Sequence, residues 1–150
     1  MNPLQQEYNE FRVAHRHLGN QLFHILCGGI YVTCVCLITP FPYPLTVLLG
    51  YLLLVWITLS LYVSSSSPRL SSLLLTSILL LLFYRSADTL SLSPRILLIL
   101  GLAFYLLPEL SHFLTNENTV MTINNLTPLK ALMNVLYLLP FSIMALLDKE

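Results

Sequence analysis

The feature that most constrains this chain is a series of long apolar runs, separated by prolines, serines and short polar stretches. A helix that crosses a bilayer needs about 20 mostly apolar residues, with a range of about 17 to 25. Runs at 22–38, 45–63, 70–84, 96–113 and 129–147 approach that length. They predict an all-α fold, a polytopic transmembrane helical bundle of about five spans (four to six), in a single membrane domain over 1–150 with a polar N-terminal segment at 1–20. Only 9% of residues are charged and 56% are hydrophobic. A soluble domain carries about 25% charged residues and exposes too much surface to hide this apolar content.

The breaks between runs are equally readable. Pro40-Phe41-Pro42-Tyr43-Pro44 ends the first, because proline removes a donor and disfavours helix in the residue before it. The second run carries no charge and closes at Ser64 to Ser67 and Pro68-Arg69. The third is short and is expected to tilt little or to borrow flanking residues. Residues 85–94 read as a loop, Pro108 interrupts the fourth run, 116–128 reads as a second polar loop, and Pro140 is expected to kink the fifth. Continuing the fourth run through Phe113 places Glu109 and His112 near a membrane boundary.

Several function classes lose support at this level. The net charge is zero, which removes the electrostatic case for nucleic acid. Cys27, Cys34 and Cys36 lack CxxC spacing, so they read as packing residues rather than a zinc site or a disulfide framework. Residues 1–20 do not read as a signal peptide. Trp56 falls mid-span and reads as packing. Under five spans, Arg12, Arg16, Arg69 and Lys130 share one side and Arg85, Arg95 and Lys149 the other, a small bias toward a cytosolic N-terminus. Asn125-Leu126-Thr127, followed by Pro128, reads as a chance sequon. No glycine-rich phosphate loop or GxSxG elbow occurs, and Ser111 beside His112 is no nucleophile–base pair on spacing alone.

The histidines carry the most information. His15, His17 and His24 stand before and within the start of the first run, and His112 at the end of the fourth. Four crossings separate these places, and an even number returns the chain to the same side. All four can therefore meet at one membrane face. At about 100° per residue, His17, Asn20 and His24 line one face of a continuous helix, whereas His15 and His24 fall on opposite faces. The latter pair converges only if the helix breaks between them, and Leu18-Gly19 is the expected break. Imidazole suits iron, copper or zinc, and ionisable groups at membrane depth are costly. Glu109 or Glu117 beside His112 offers a carboxylate to complete a two-histidine, one-carboxylate iron site, or simply faces water. A non-enzymatic scaffold or assembly subunit with boundary histidines is the alternative. A small transporter is a weaker one, since the spans offer mainly Ser, Thr and Asn134 as polar groups, and the chain is short for two repeated halves.

The stretch His15-Arg16-His17-Leu18-Gly19-Asn20-Gln21-Leu22-Phe23-His24 resembles the small membrane proteins related to the yeast endoplasmic-reticulum 2-hydroxy fatty acid dioxygenase. That family shows a histidine, an asparagine five residues on and a histidine four after that, the spacing of His15, Asn20 and His24. Its later histidine, acidic residue and final apolar segment are similar to His112, Glu117 and 129–147, and the aromatics Tyr8 and Phe11 fit ahead of His15. The chain departs at Leu18 and Val120, where the family has proline, at Cys27 and Gly29, where glycine and proline follow, and at Asn116, which takes the acidic position. The likeness touches both ends of the chain, and the middle matches only as generic apolar spans.

The resemblance implies an iron(II)-dependent oxygenase of fatty acid α-oxidation in the endoplasmic-reticulum membrane. A 2-hydroxy fatty acid would react with dioxygen and lose one carbon, its tail remaining among membrane lipids. His15, His24 and His112 would be the catalytic iron ligands, with His17 and Glu117 as further candidates, and Asn20 would orient a ligand by hydrogen bonding.

Overall fold

A computed structural model describes residues 2–39, 43–63, 67–117 and 128–148. The sequon at Asn125 and the positions of Val120 and Lys149 lie outside them. Among the described residues the chain is all helical: α1 (Pro3–Ala14), α2 (Leu18–Ile38), α3 (Pro44–Tyr62), α4 (Ser67–Leu90), α5 (Pro94–Thr115) and α6 (Pro128–Leu147). Helices α2 to α5 are long and apolar enough to cross a membrane. Leucines such as Leu53, Leu61, Leu102 and Leu106 stay exposed on them, as suits helices whose solvent is lipid.

The polar segment at the N-terminus folds into α1, a helix that its composition does not announce. Asn2 caps it by accepting from the Leu4 N–H at 3.0 Å, and Pro3 occupies the first helical turn. Leu4, Tyr8, Phe11 and Ala14 fall on one face and are buried. Leu4, Tyr8 and Phe11 join Val55, Leu59, Leu73 and Phe141 in a shared core.

Two spans differ from expectation in length. Helix α4 runs on to Leu90, through residues that read as loop. Ser86 and Thr89 turn their hydroxyls back onto the carbonyls of Leu82 and Ser86, at 2.9 and 2.7 Å, so polar side chains are satisfied without leaving the helix. Helix α5 passes through Pro108 without ending and stops at Asn116, whose φ of 53° is left-handed. Asparagine tolerates that conformation, and the turn sends Glu117 back toward α2.

The largest difference concerns the fifth run. Its described apolar stretch is Leu132–Leu147, and both ends of α6 are tied to the short helix α1. Lys130 pairs with Glu10 at 2.9 Å and Glu7 at 3.4 Å, while Asp148 pairs with Arg12 at 2.8 Å and accepts from the Tyr8 hydroxyl at 3.0 Å. A helix whose two ends reach the same few residues of α1 does not pass from one side of the bundle to the other. It packs against α1 on one side and against α2, α3 and α4 on the other. Pro140 leaves the Leu136 carbonyl without its helical donor, and the Tyr51 hydroxyl supplies one at 2.7 Å. Ser72 donates to the Pro140 carbonyl at 3.2 Å.

Helix α2 is the hub, packing on α3, α4, α5 and α6. Gly28 lets α6 come close, since a β-carbon there would lie 3.2 Å from Cβ of Leu139 and 3.4 Å from its backbone. Trp56 serves packing, with its indole N–H donating to Ser77 at 3.1 Å between α3 and α4.

Candidate metal centre

His24 stands near the start of α2 and His112 near the end of α5, with α3 and α4 between those helices, and the two rings meet. Ring centroids of His15, His24 and His112 lie 4.4, 4.6 and 5.1 Å apart, with interplanar angles between 76° and 85°. Each ring offers one ligand atom, and these atoms all lie within 4.8 Å of one another. All three are buried, at 1%, 2% and 1% exposure.

The convergence depends on a break in the helix. Helix α1 ends at Ala14 and α2 begins at Leu18, so the break falls on residues 15–17, upstream of the expected Leu18-Gly19. Its local cause is His17, whose Nδ1 accepts from the Gly19 N–H at 3.1 Å and caps α2. His17 is therefore exposed and outside the cluster, rather than on a shared face with Asn20 and His24. Glu117 reaches the same break from just beyond α5. Its Oε1 accepts from the backbone N–H groups of Arg16 at 2.5 Å and His17 at 2.7 Å, and its Oε2 accepts from Asn20 Nδ2 at 2.7 Å. Glu117 thus binds the break instead of joining the three converging rings. Burial pushes its carboxyl up, but the hydrogen bonds from Asn20, His17, Arg16 and Thr115 outweigh that and hold it below the usual carboxylate range.

Hydrogen bonding fixes two of the rings. His15 Nδ1 lies 2.7 Å from the Phe11 carbonyl, and His24 Nδ1 lies 2.9 Å from the Asn20 carbonyl. A carbonyl only accepts, so each Nδ1 carries a hydrogen and each neutral ring keeps its lone pair on Nε2. Those two Nε2 atoms face each other at 3.1 Å. Two lone pairs cannot bond to each other. A shared proton would relieve them only by placing a charge in a buried site. Burial, then the neighbouring His24, drives the His15 ring far below its ordinary pKa, so it stays neutral.

A cation relieves the conflict directly. With metal–nitrogen bonds of about 2.0–2.1 Å, a separation of 3.1 Å between the nitrogens corresponds to an angle of roughly 95–100°, between octahedral and tetrahedral values. The donor set, three buried imidazoles, can hold a metal ion, and suits iron, zinc or copper. His112 is the least constrained ring, with Asn20 Nδ2 3.4 Å from its Nδ1. Asn20 is itself locked, since its Oδ1 accepts from the Ser111 hydroxyl and its Nδ2 faces an acceptor-only carboxylate.

Other residues around the site escaped sequence reasoning. Phe11 stacks on His15 at 3.8 Å and stands edge-on to His24. Gln21 donates to the His15 carbonyl at 2.6 Å. Its signal was present, as a second polar residue after Asn20 where the apolar run begins. A cleft of about 720 Å³ opens beside His15, lined by Arg12, Arg16, Gln21 and Asp148 among others. Glu109 and the buried free thiols of Cys27, Cys34 and Cys36 lie outside the metal-binding group.

No protein-family description, curated protein or solved structure matches the chain.

Proposed function

We propose that this protein is an iron(II)-dependent membrane oxygenase that shortens 2-hydroxy fatty acids by one carbon. The observation that carries the reading is the pair of Nε2 lone pairs on His15 and His24, aimed at each other in a buried cluster that His112 completes. The match of His15, Asn20 and His24 to the dioxygenase family's spacing supplies the substrate class, and it suggests the endoplasmic-reticulum membrane where the host has one.

His15, His24 and His112 would hold the ion. Iron(II), when bound, supplies the electrons that let dioxygen react with a closed-shell substrate. Phe11, stacked on His15, keeps bulk water from the ring faces. Arg16 on the cleft wall offers counter-charge to a lipid carboxylate near His15, while Arg12 there is paired with Asp148. The stoichiometry closes with dioxygen as sole oxidant: R–CH(OH)–COOH and O2 give R–COOH, CO2 and H2O.

The test is incubation of the purified, iron-loaded protein with a 2-hydroxy fatty acid under oxygen, with His24→Ala alongside. The wild type is expected to yield the acid one carbon shorter, and the variant none. An iron-loaded wild type that forms no such acid overturns the reading.

A further inference from the structure

We infer that Glu117 is a positioning residue, whose carboxylate assembles the three-histidine site by clamping the α1–α2 break rather than by binding the metal. The inference rests on the metal-site reading above and adds a residue to it.

The geometry separates the two roles. A carboxylate ligand would turn an oxygen toward the histidine nitrogens. Here Oε1 takes two consecutive backbone N–H groups, those of Arg16 and His17, and Oε2 takes the Asn20 amide and, at 3.3 Å, the Thr115 hydroxyl. Both oxygens are committed to donors. The N–H groups they satisfy belong to the residues between α1 and α2, where no helical acceptor serves them. Without the clamp, continuing the helix through residues 15–17 would recover those hydrogen bonds. A continuous helix turns about 900° between His15 and His24, which leaves them half a turn apart on opposite faces. The clamp therefore decides whether His15 reaches the site.

The same carboxylate governs the other two rings. Asn20 gives its carbonyl to His24 Nδ1 and its amide to Glu117, with His112 Nδ1 beside that amide. Glu117 also sits five residues beyond His112, and its own N–H donates to the His112 carbonyl at 3.1 Å. One residue just beyond α5 thus bonds the backbone that follows His15, the asparagine that serves His24, and the carbonyl of His112.

The experiment uses the full chain in detergent, cobalt(II) as the probe metal and hydrogen exchange at 15–18 as a second readout. Glu117→Ala is expected to raise exchange there at least tenfold, lower cobalt affinity about 10–100-fold, as losses around a metal's ligands do, and shift the visible cobalt bands. Glu117→Gln keeps a carbonyl oxygen for the Arg16 and His17 N–H groups, so it should recover most of the protection and most of the affinity. Glu109→Gln, on α5 but outside the cluster, should match the wild type.

Unchanged exchange in Glu117→Ala overturns the clamp. Raised exchange with wild-type cobalt affinity and bands overturns the positioning role. A Glu117→Gln variant that stays protected yet binds cobalt as poorly as Glu117→Ala overturns the proposal in favour of direct ligation. A wild type that binds no cobalt overturns the metal-site reading itself, a result separable from the others because it appears before any variant is made.

Discussion

The two ends of the helical bundle are built from similar residues and differ in how those residues are used. At the histidine end, Glu7, Glu10, Arg12, Lys130 and Asp148 are knitted into ion pairs between α1 and α6, and Glu117 is bound by backbone and amide N–H groups. At the far end, Arg85, Asp88 and Arg95 are exposed, and the ion pairs among the described residues do not include them. Charge at a membrane boundary needs no partner when water is near, so the far end is what a boundary looks like by default. The paired end orders several long side chains and buries three imidazoles, which costs entropy and desolvation. That cost has an explanation if the end holds a ligand.

The comparison is broken most severely by removing a ring. His24→Ala is expected to lose metal by more than the ~10–100-fold typical of changes around a site, measured as metal per protein after dialysis. Retention of wild-type metal content would make the organised end a packing device only. A smaller effect is expected from Gly28→Leu, which drives a side chain into the backbone of Leu139 and overpacks the α2–α6 contact at ~1–3 kcal/mol. Because α6 carries Phe141 against Phe11, thermal unfolding should fall and metal affinity should weaken with it. Tyr51→Phe acts from further away. It leaves the Leu136 carbonyl without the 2.7 Å bond that Pro140 makes necessary, at ~1–3 kcal/mol, and should lower the unfolding midpoint while leaving metal stoichiometry intact.

The long apolar helices were legible in the sequence, and the ends of the bundle only in part. Apolar runs and prolines locate α2, α3 and α5 to within a few residues, because span length is a local property. The even count of crossings correctly put His24 and His112 on one side. What could not be read locally depends on partners distant in sequence. Helix α1 has four apolar residues at helical spacing in a polar segment, and it is held by α6. The apolar length of 129–147 satisfies a span, yet Lys130 and Asp148 find their partners on α1, so the helix stays on that side. The break at 15–17 needed Glu117, about one hundred residues away, and no spacing within the motif reveals it.

The smallest expected effect sharpens the comparison most economically. Arg12 and Arg85 are both exposed arginines at a boundary. Arg12 holds Asp148 at 2.8 Å with its side chain 46% exposed, so its pair contributes only ~0.2–1 kcal/mol. Arg12→Gln should therefore change the unfolding midpoint little, yet speed amide exchange in α1, because that pair is one of the ties holding α1 over the histidines. Arg85→Gln should change neither the midpoint nor exchange near the site. The two substitutions remove the same charge, so net charge cannot account for a difference between them. Equal exchange in α1 for both variants would mean that the ion pairs are ornaments of one end, and that the apolar face of Leu4, Tyr8 and Phe11 alone holds α1 in place.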